Sequence, residues 1–523
     1  MTLDDLGTPE LGRLEGKAGE FWTQKNPDHF YWLTMGRLCH TILVVVCTAV
    51  IYFIAKEYYG LAAGVLASIL WIFCPYILGH GALITSDVLS ALGGLLAVYC
   101  FRQWLQVSDF RYSFISGISL GLAELTKFTL LIFYPLFLLI CLIDLFFKKN
   151  VCNANVSKQI FVSLLTLLFF SILVINMGYL FEDTGKPLGK FRFQTTLFTG
   201  CENLKDIPSG GGNRFRNTLL AYVPVPFPAS FVQGIDMQRL DFERGLQSYL
   251  RGEWSKHGWL SYYLYALLIK TPLGTLALFV LAIACSFSRR FNASWRDEMV
   301  ILLPGLTLLA FVSSQTGFSV HSRYVIPVLP FFFIWMSKVG KCFTLRKRFL
   351  SIIVSVLLVW SIASSLWIYP YSISYFNELA AVLPTPLESR APQELAGTSK
   401  IVSLFNAGAR NGGRHLLQSN IDWGQDVLYL ERWCQRHSEI TEICTALSGS
   451  YPLEQTRIPR KAMPSSLDGL LPGWYAMSVD YLYSKDDVYR QFLDIQPTAR
   501  IGYSIYIYHI TAEEVERFKK KSK

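Results

Sequence analysis

The sequence predicts a polytopic α-helical membrane protein that ends in a small α/β domain. Of its 523 residues, 52% are hydrophobic and only 16% are charged, which is rare among soluble globular proteins. The mean hydropathy of the chain is also positive. Apolar runs recur up to about residue 370, and most approach the roughly 20 residues that a helix needs to cross a bilayer. The chain is therefore expected to cross the membrane about ten times.

The distribution of Lys and Arg predicts how these spans are oriented. The predicted spans cover residues 37–55, 61–78, 88–104, 114–125, 129–147, 159–180, 260–287, 299–313, 324–337 and 349–370. Basic residues cluster in the loops around 148–158, 289–296 and 338–348, and these loops all fall on one side of the membrane. Short loops rich in Lys and Arg favour the cytoplasm, so we expect a multi-pass protein of the cytoplasmic (inner) membrane.

The alternation of apolar spans and polar loops divides the chain into five consecutive parts. They are a polar N-terminal segment (1–35), a first helical bundle (36–180) with an outer loop at 80–87, a long outer loop (181–259), a second helical bundle (260–370) and an extracytoplasmic α/β domain with a basic tail (371–523). The long outer loop is predicted to lie over the membrane face and cap a cavity. In the last part, helical spacing marks 426–436 and alternation marks strands at 473–479 and 501–508.

Charge and cysteine content exclude some other classes of protein. The net charge of +10 comes mostly from the short loops, so it does not indicate nucleic-acid binding. The sequence has 11 cysteines but no C-x-x-C pair, which leaves a structural zinc site unsupported. Cys434 and Cys444 lie close together in a polar region. The sequence is compatible both with a disulfide between them and with two free thiols.

The loop at 80–87 carries the strongest candidate for chemistry, Asp87. A carboxylate at a membrane boundary is costly unless it has a partner or a function. Asp87 is predicted to bind a divalent metal (Mg²⁺ or Mn²⁺) or a donor phosphate, with His80 as a further ligand or hydrogen-bond donor. The alternative is that Asp87 only caps the helix that follows.

Glu124 and Lys127 lie three residues apart at the end of the short predicted span 114–125. Residues at this spacing share one face of a helix. Lys127 is predicted to bind a phosphate at the outer surface, with Glu124 in support. The alternatives are an ion pair between the two side chains, or a Lys127 that reaches to the interface with its charged end.

Two more cations are predicted on the outer face. Lys270 precedes Pro272 inside a predicted span, and Arg323 lies between His321 and Tyr324 before another. Arg323 is suited to bind a phosphate through two hydrogen bonds. The alternative is that it is an ordinary arginine at the membrane interface, without a ligand. Together with Asp87 and Lys127, these cations predict a pocket for an anionic headgroup whose lipid tail lies in the bilayer.

The polar and aromatic stretch Asn420–Asp426 has two interpretations. It has the composition of loops that contact carbohydrate. The favoured interpretation is the start of a helix that Asp422 or Asp426 caps.

The motifs, taken in order, resemble one family. They are His80-Gly81 with Thr85-Ser86-Asp87, Gly117 with Gly121-Leu122-Ala123-Glu124-Leu125-Thr126-Lys127, Lys270-Thr271-Pro272, Arg323-Tyr324, Asn420–Asp426, Gly473–Ala476 and Ala499–Ile505. This set is similar to the phospholipid-carrier-dependent glycosyltransferases, the relatives of protein O-mannosyltransferases and aminoarabinose transferases, which have the GT-C fold.

The resemblance implies an enzyme of the hexosyltransferase type. Its donor would be a polyprenyl-phosphate sugar and its acceptor a hydroxyl of a protein, glycan or lipid, on the outer membrane face. The implied partners are thus membrane lipid, the lipid-linked donor and the acceptor. By the same resemblance, Asp87 matches an acidic position that supports metal or donor phosphate, and Lys127 and Arg323 match cationic positions for the carrier phosphate.

One departure from the family concerns the general base. The family begins with a further span and a first outer loop that carries an acidic general base, whereas no span precedes Arg37 in this sequence. The catalytic base therefore stays unidentified at this point. Two hypotheses remain as alternatives to an active glycosyltransferase. One is a transporter or flippase of lipid-linked or anionic solutes, and the other is a non-catalytic, truncated homologue.

Overall fold

Helices dominate the computed structural model, which describes residues 28–147, 154–386, 400–449, 451, 453–464, 469–486 and 488–522. Up to residue 368 the helices are α1 (His29–Tyr59), α2 (Leu61–Ile72), α3 (Pro75–His80), α4 (Ser86–Val107), α5 (Phe110–Glu124), α6 (Phe133–Phe147), α7 (Ala154–Gly178), α8 (Thr196–Thr199), α9 (Ala229–Arg244), α10 (Tyr262–Lys270), α11 (Leu273–Ser286), α12 (Trp295–Ser314), α13 (Leu329–Met336), α14 (Lys341–Thr344) and α15 (Arg348–Ile368). They are followed by α16 (Leu379–Val382), α17 (Lys400–Asn411), α18 (Val427–Arg436), α19 (Val479–Leu482) and α20 (Ala512–Ser522).

The prediction of a polytopic helical membrane protein is confirmed. Among the described residues, seven helical stretches are long and apolar enough to span a bilayer: His29–Tyr59, Ser86–Val107, Phe128–Phe147, Lys158–Gly178, Trp295–Ser314, Ser322–Thr344 and Arg348–Ile368. Helices α10 and α11 together make an eighth candidate, which is bent by 113°. Every predicted span contains helix, but some are shorter or more broken than predicted.

Proline accounts for two of these breaks. The predicted span 61–78 is interrupted because α2 ends at Ile72 and Pro75 starts α3. With 12 residues, α2 is about 18 Å long, too short to cross the hydrocarbon alone. The bend between α10 and α11 falls at Thr271 and Pro272, where the backbone is extended. Proline has no N–H for the helix and disfavours helical backbone in the residue before it.

Two glycines bring α5 close against α7. A Cβ added at Gly117 would lie 2.5 Å from the carbonyl oxygen of Leu167, and one added at Gly121 would lie 2.6 Å from that of Ser171. Small residues four apart permit this approach of two backbones inside a membrane. The packing fixes the end of α5, where Glu124 is located.

The long segment 181–259 is folded over the same end of the bundle. It contains α9 and a hairpin of two strands, β1 (Ser248–Leu250) and β2 (Glu253–Ser255). Gly234 of α9 packs against the ring of Phe128. This contact holds α9 beside the chain that follows α5.

The C-terminal region forms a mixed five-stranded sheet. Its strands are β3 (Ile443–Ala446), β4 (Arg460–Ala462), β5 (Gly473–Ser478), β6 (Ala499–Ile501) and β7 (Ile505–Ile510), in the order β4-β3-β5-β7-β6. Strand β3 is parallel to β4 and β5, and β7 is antiparallel to β5 and β6. The predicted α/β region is thus confirmed, but the run 501–508 is divided. Gly502, with a φ of 57°, helps to turn the chain between Ile501 and Ile505, which pair across the hairpin.

Cys434 and Cys444 are both free thiols. Cys434 is buried on α18 and Cys444 lies in β3. Of the two alternatives left open by the sequence, the one with two free thiols, rather than a disulfide, therefore holds in this structure.

Charged networks mark the two ends of the bundle. At the end of α4 away from Asp87, Arg102 bonds to Glu57 and Asp297, at 2.5 Å in each case. Asp87 and Arg102 lie 15 residues apart on α4 (102 − 87), which separates this network from Asp87 by about 22 Å. Lys338, from one of the predicted cytoplasmic loops, forms a 2.5 Å ion pair with Glu298 beside Asp297. The basic loop around Lys338 is thus remote from Asp87, as predicted, while the sidedness of the protein stays a prediction.

Candidate active site

A cavity of about 300 Å³ lies at the Asp87 end of the bundle. Both the helical bundle and segment 181–259 contribute to its wall, the latter through Gln238 and Phe242 of α9. Polar side chains from distant parts of the chain meet there: Asp87, Glu124, Lys127, Gln238, Gln315 and Arg323.

Asp87 is the centre of the charged group in this cavity. It lies in the first turn of α4 and is fully buried. Lys127 Nζ donates to one carboxylate oxygen at 2.6 Å, and Arg323 Nη1 donates to the other at 2.7 Å. Thr85, not Asp87, occupies the cap position of α4, and no side-chain cap bond forms there. Asp87 therefore holds two cations and does not act as a simple helix cap.

The resulting cluster has a net charge of +1, because two cations share one carboxylate. Arg323 Nε is buried and has no hydrogen-bond partner within the described ranges. The ring of Tyr324 lies under Lys127, with Nζ 4.6 Å from its centroid. An anion that entered the cavity would find an unused buried donor and an excess of positive charge.

Trp423 closes the cluster from the C-terminal domain. The guanidinium carbon of Arg323 lies 4.9 Å from the Trp423 ring centroid and 5.3 Å from that of Tyr324. Stacking on aromatic faces fixes the plane of an arginine. Sequence reasoning missed this role of Trp423, and the only signal was the aromatic residue within the polar stretch Asn420–Asp426.

His80 lies behind the cluster and does not line the cavity. It is buried, and its ring centroid is 5.8 Å from that of Trp423. Its Nδ1 has no hydrogen-bond partner within the part of the chain that the structure describes. His80 thus supports Trp423 by packing, and the structure does not place it as a ligand in the cavity.

Lys270 is also not brought to the cavity. It is buried, and its Nζ donates to the carbonyl oxygens of Ile373 at 2.8 Å and Asn420 at 2.5 Å. The same ammonium lies 4.3 Å from the Phe376 ring centroid. Lys270 therefore ties the break between α10 and α11 to the C-terminal region.

His321 also helps to join the bundle to the C-terminal region. Its Nδ1 shares a 2.6 Å hydrogen bond with the Ser419 hydroxyl, and the next residue, Ser322, donates its N–H to Asn420 Oδ1 at 2.8 Å. These bonds hold the segment that carries Arg323 against the loop that carries Trp423. His321 acts here through position, not through contact with the cavity.

Glu124 does line the cavity, but it does not pair with Lys127. Both of its carboxyl oxygens are buried without a hydrogen-bond partner among the residues described. Lys127 bonds to Asp87 instead. The ion pair between Glu124 and Lys127, one of the sequence alternatives, is thus not formed.

Buried aspartates attach the loop of Trp423 to the sheet. Asp422 accepts hydrogen bonds from the Ser478 hydroxyl and, at 2.9 Å, from the Gly424 N–H. Asp426 accepts from the Ser504 hydroxyl at 2.9 Å. Helix α18 starts after Asp426 as predicted, but no side chain caps it. The carboxylates serve to hold the loop rather than to cap the helix.

We expect the stability of the folded protein to depend on pH because of buried aspartates in this region. Burial raises the pKa of Asp426 to about 7 and that of Asp480, which accepts from Ser448, also to about 7. Burial raises the pKa of Asp422 as well. An unfolded aspartate has a pKa of about 3.9, so between these values the folded state holds protons that the unfolded state releases. Stability is therefore full below about pH 4 for these groups and falls as the pH rises to about 7, by on the order of 4 kcal/mol per group.

Thermal melting of the detergent-purified protein between pH 5 and 8.5 tests this. We expect a lower melting temperature at pH 8 than at pH 5.5, and a shallower slope in Asp426→Asn. A slope that is unchanged in the variant would show that Asp426 does not titrate in this range.

The residues present do not fit a divalent metal. Within the described ranges, no group of three or more His, Cys, Asp or Glu side chains is arranged to hold one. Both oxygens of Asp87 accept from cations, and His80 lies outside the cavity wall. A cation would have to displace Lys127 and Arg323 from Asp87. This arrangement gives no support to Mg²⁺ or Mn²⁺ at Asp87 and His80, and the metal expected from the sequence stays a prediction.

Known structures show remote similarity to most of the chain. The structure of ArnT from Cupriavidus metallidurans in the apo state is 12% identical, with 91% of this chain and 84% of that chain covered and a TM-score of 0.39. The same protein bound to undecaprenyl phosphate gives 12% identity, coverages of 92% and 84%, and a TM-score of 0.38. The Archaeoglobus fulgidus oligosaccharyltransferase tethered with an acceptor peptide gives 14% identity, coverages of 72% and 52%, and a TM-score of 0.37.

A family match covers the part of the bundle that carries Asp87, Glu124 and Lys127. No curated protein sequence matches the chain. Residues 33–175 match the family model described as dolichyl-phosphate-mannose-protein mannosyltransferase. Over these residues, the match confirms the predicted resemblance to the phospholipid-carrier-dependent glycosyltransferases.

Proposed function

We propose that the protein is a membrane glycosyltransferase in which Asp87, Lys127 and Arg323 bind the phosphate of a polyprenyl-phosphate-linked sugar. The observation that carries the proposal is the net positive cluster in a cavity at one end of a membrane-spanning bundle. The family match over residues 33–175 supports the class of reaction. The sugar is transferred to a hydroxyl of an acceptor protein, glycan or lipid.

The geometry of the cluster suits a phosphate. Lys127 and Arg323 are held by the two oxygens of one carboxylate, so their positions are set before the ligand arrives. Such preorganised cations stabilise charge without a cost of rearrangement. Arg323 Nε supplies a further donor to a phosphate oxygen.

The same cluster favours departure of the lipid phosphate. In the transfer, the acceptor oxygen forms a bond to the anomeric carbon of the sugar, and the bond from that carbon to the phosphate oxygen breaks. The phosphate leaves with an additional negative charge, and the acceptor hydroxyl gives up its proton to a base. Lys127 and Arg323 stabilise the charge that develops on the leaving phosphate, and no step requires a metal.

The apolar part of the wall suits the lipid. Phe128, Phe242, Phe311, Val312 and Phe318 line the cavity beside the charged cluster. A polyprenyl chain can thus remain in an apolar environment while its phosphate meets the cations. We assign this end of the bundle and the C-terminal domain to the outer face of the cytoplasmic membrane, because the basic loop around Lys338 lies at the opposite end.

A transfer assay with the full-length protein in proteoliposomes tests the proposal. The donors are radiolabelled undecaprenyl-phosphate-linked sugars, tested as a panel of hexoses and pentoses, with a total membrane extract as acceptor. We expect label to move covalently from at least one donor to the acceptor, with release of undecaprenyl phosphate and less than a twofold effect of EDTA. Label that crosses the bilayer while still attached to its lipid would support the flippase instead. An absence of transfer from every donor would overturn the proposal.

A further inference from the structure

Glu124 is a buried acid in the cavity wall that the phosphate site does not use. Its exposed fraction is only 2%, and neither carboxyl oxygen has a hydrogen-bond partner among the described residues. Asp87, the other acid in the wall, has both oxygens satisfied by cations. Glu124 is therefore the acid of this cavity that is available to a ligand.

A carboxyl group in this state is unfavourable in the empty protein. Burial removes its hydrogen bonds to water, and nothing in the described structure replaces them. Its backbone is held by the close contact of Gly121 with Ser171 one turn earlier, so α5 does not shift easily to relieve it. A ligand that brings hydroxyl donors into the cavity would satisfy the group.

We propose that Glu124 binds hydroxyl groups of the donor sugar and is a specificity-determining residue of the transfer. This inference rests on the proposed function, because it takes the phosphate site as its reference point. In a lipid-phosphate sugar the ring is joined directly to the phosphate. A phosphate on Lys127 therefore places the ring next to the end of α5, three residues earlier in the chain.

The rest of the wall agrees with a polyhydroxyl group at this position. Gln238 and Gln315 also line the cavity, and each side-chain amide both donates and accepts hydrogen bonds. A carboxyl can accept from two adjacent hydroxyls of one ring. Sites built to bond a hydroxyl discriminate strongly against analogues that lack it, because their own polar groups then stay unpaired.

The experiment compares Glu124→Gln and Glu124→Leu with the wild-type full-length protein. The probes are the best donor of the transfer assay and undecaprenyl phosphate, which has the same phosphate but no sugar. We expect Glu124→Leu to raise the KM for the donor at least tenfold and to change the affinity for undecaprenyl phosphate less than twofold. Glu124→Gln, which retains one acceptor, should have a smaller effect. The ligand-free Glu124→Leu protein should melt at the same or a higher temperature.

Other results would contradict the inference. A donor KM that is unchanged in Glu124→Leu would show that the sugar is not bound there. An equal loss of affinity for both probes would assign Glu124 to the fold or to the phosphate site, and a fall in kcat alone would make it a catalytic group. Failure of the proposed function has a different signature, since the wild-type protein would then neither bind undecaprenyl phosphate nor transfer sugar. Glu253→Gln, an exposed substitution in β2, is the matched control and should behave as wild type.

Discussion

Replacement of Asp87 by asparagine is expected to reduce sugar transfer more than about 100-fold, since it removes the group that orients both phosphate-binding cations. The same change leaves Lys127 and Arg323 without a counter-charge. Water compensates little for this loss, because their side chains are only 16% and 17% exposed. Loss of one partner of a buried ion pair costs roughly 3–5 kcal/mol. The melting temperature of the ligand-free protein should therefore fall together with activity.

The response to ligand separates a phosphate site from a metal site. In Asp87→Asn the charge of the cluster rises from +1 to +2, so a bound phosphate compensates for the missing carboxylate. Undecaprenyl phosphate should thus raise the melting temperature of the variant more than that of the wild type. If Asp87 held a metal that bridges to the phosphate, the substitution would instead weaken this stabilisation.

A double variant and a control complete the test of Asp87. Asp87→Asn combined with Lys127→Met returns the cluster to a charge of +1, so stability should recover in part while transfer stays lost. Asp109 accepts the Tyr112 N–H at the start of α5, and asparagine serves equally well in that position. Asp109→Asn should therefore behave as wild type. Transfer at the wild-type rate by Asp87→Asn would exclude the proposed site.

The chemistry of the site could be predicted where topology alone decides it. Asp87, Lys127 and Arg323 each lie at the end of an apolar run, and alternate loops of a bundle meet on one face. This reasoning placed the three residues together without any knowledge of the packing. It does not say which charges touch, so the sequence left open an ion pair of Lys127 with Glu124 that the structure replaces with one to Asp87.

Contacts between distant segments explain what the sequence did not predict. Lys270 beside a proline break signals a polar partner, but its partners are carbonyls of Ile373 and Asn420, more than 100 residues away. No local pattern points to them. The stacking of Trp423 on Arg323 has the same origin, since it depends on how the C-terminal domain docks onto the bundle.

Local signals were sufficient for some of the remaining details. Pro75 marks the start of a new helix, yet the hydrophobic run on both sides of it suggests one long span. Gly502 marks a turn, yet the alternation of 501–508 continues on both sides of it. In both cases a long-range hydrophobic pattern outweighed a short-range turn signal that was correct.

Replacement of Arg323 by lysine is expected to reduce kcat/KM for the donor by about 30-fold, although it preserves the charge. The guanidinium donates through Nη1 to Asp87, and its buried Nε has no hydrogen-bond partner among the described residues. Its central carbon lies 5.3 Å from the Tyr324 ring centroid and 4.9 Å from that of Trp423. A lysine ammonium is a point charge that cannot hold both directions at once or stack in this way. A lost hydrogen bond to a charged group is worth roughly 2 kcal/mol, which corresponds to the stated change in rate.

Two further variants decide whether shape or charge explains this loss. Arg323→Gln removes the charge and should lower the affinity for undecaprenyl phosphate well beyond the effect of Arg323→Lys. Trp423→Leu removes the stacking surface while Arg323 remains, so it should reproduce part of the defect of Arg323→Lys. Measurement of kcat/KM and of undecaprenyl phosphate affinity for all three variants gives the comparison. Wild-type kinetics in Arg323→Lys would mean that the cavity requires only a positive charge at this position, and that the fixed plane of the guanidinium contributes nothing to transfer.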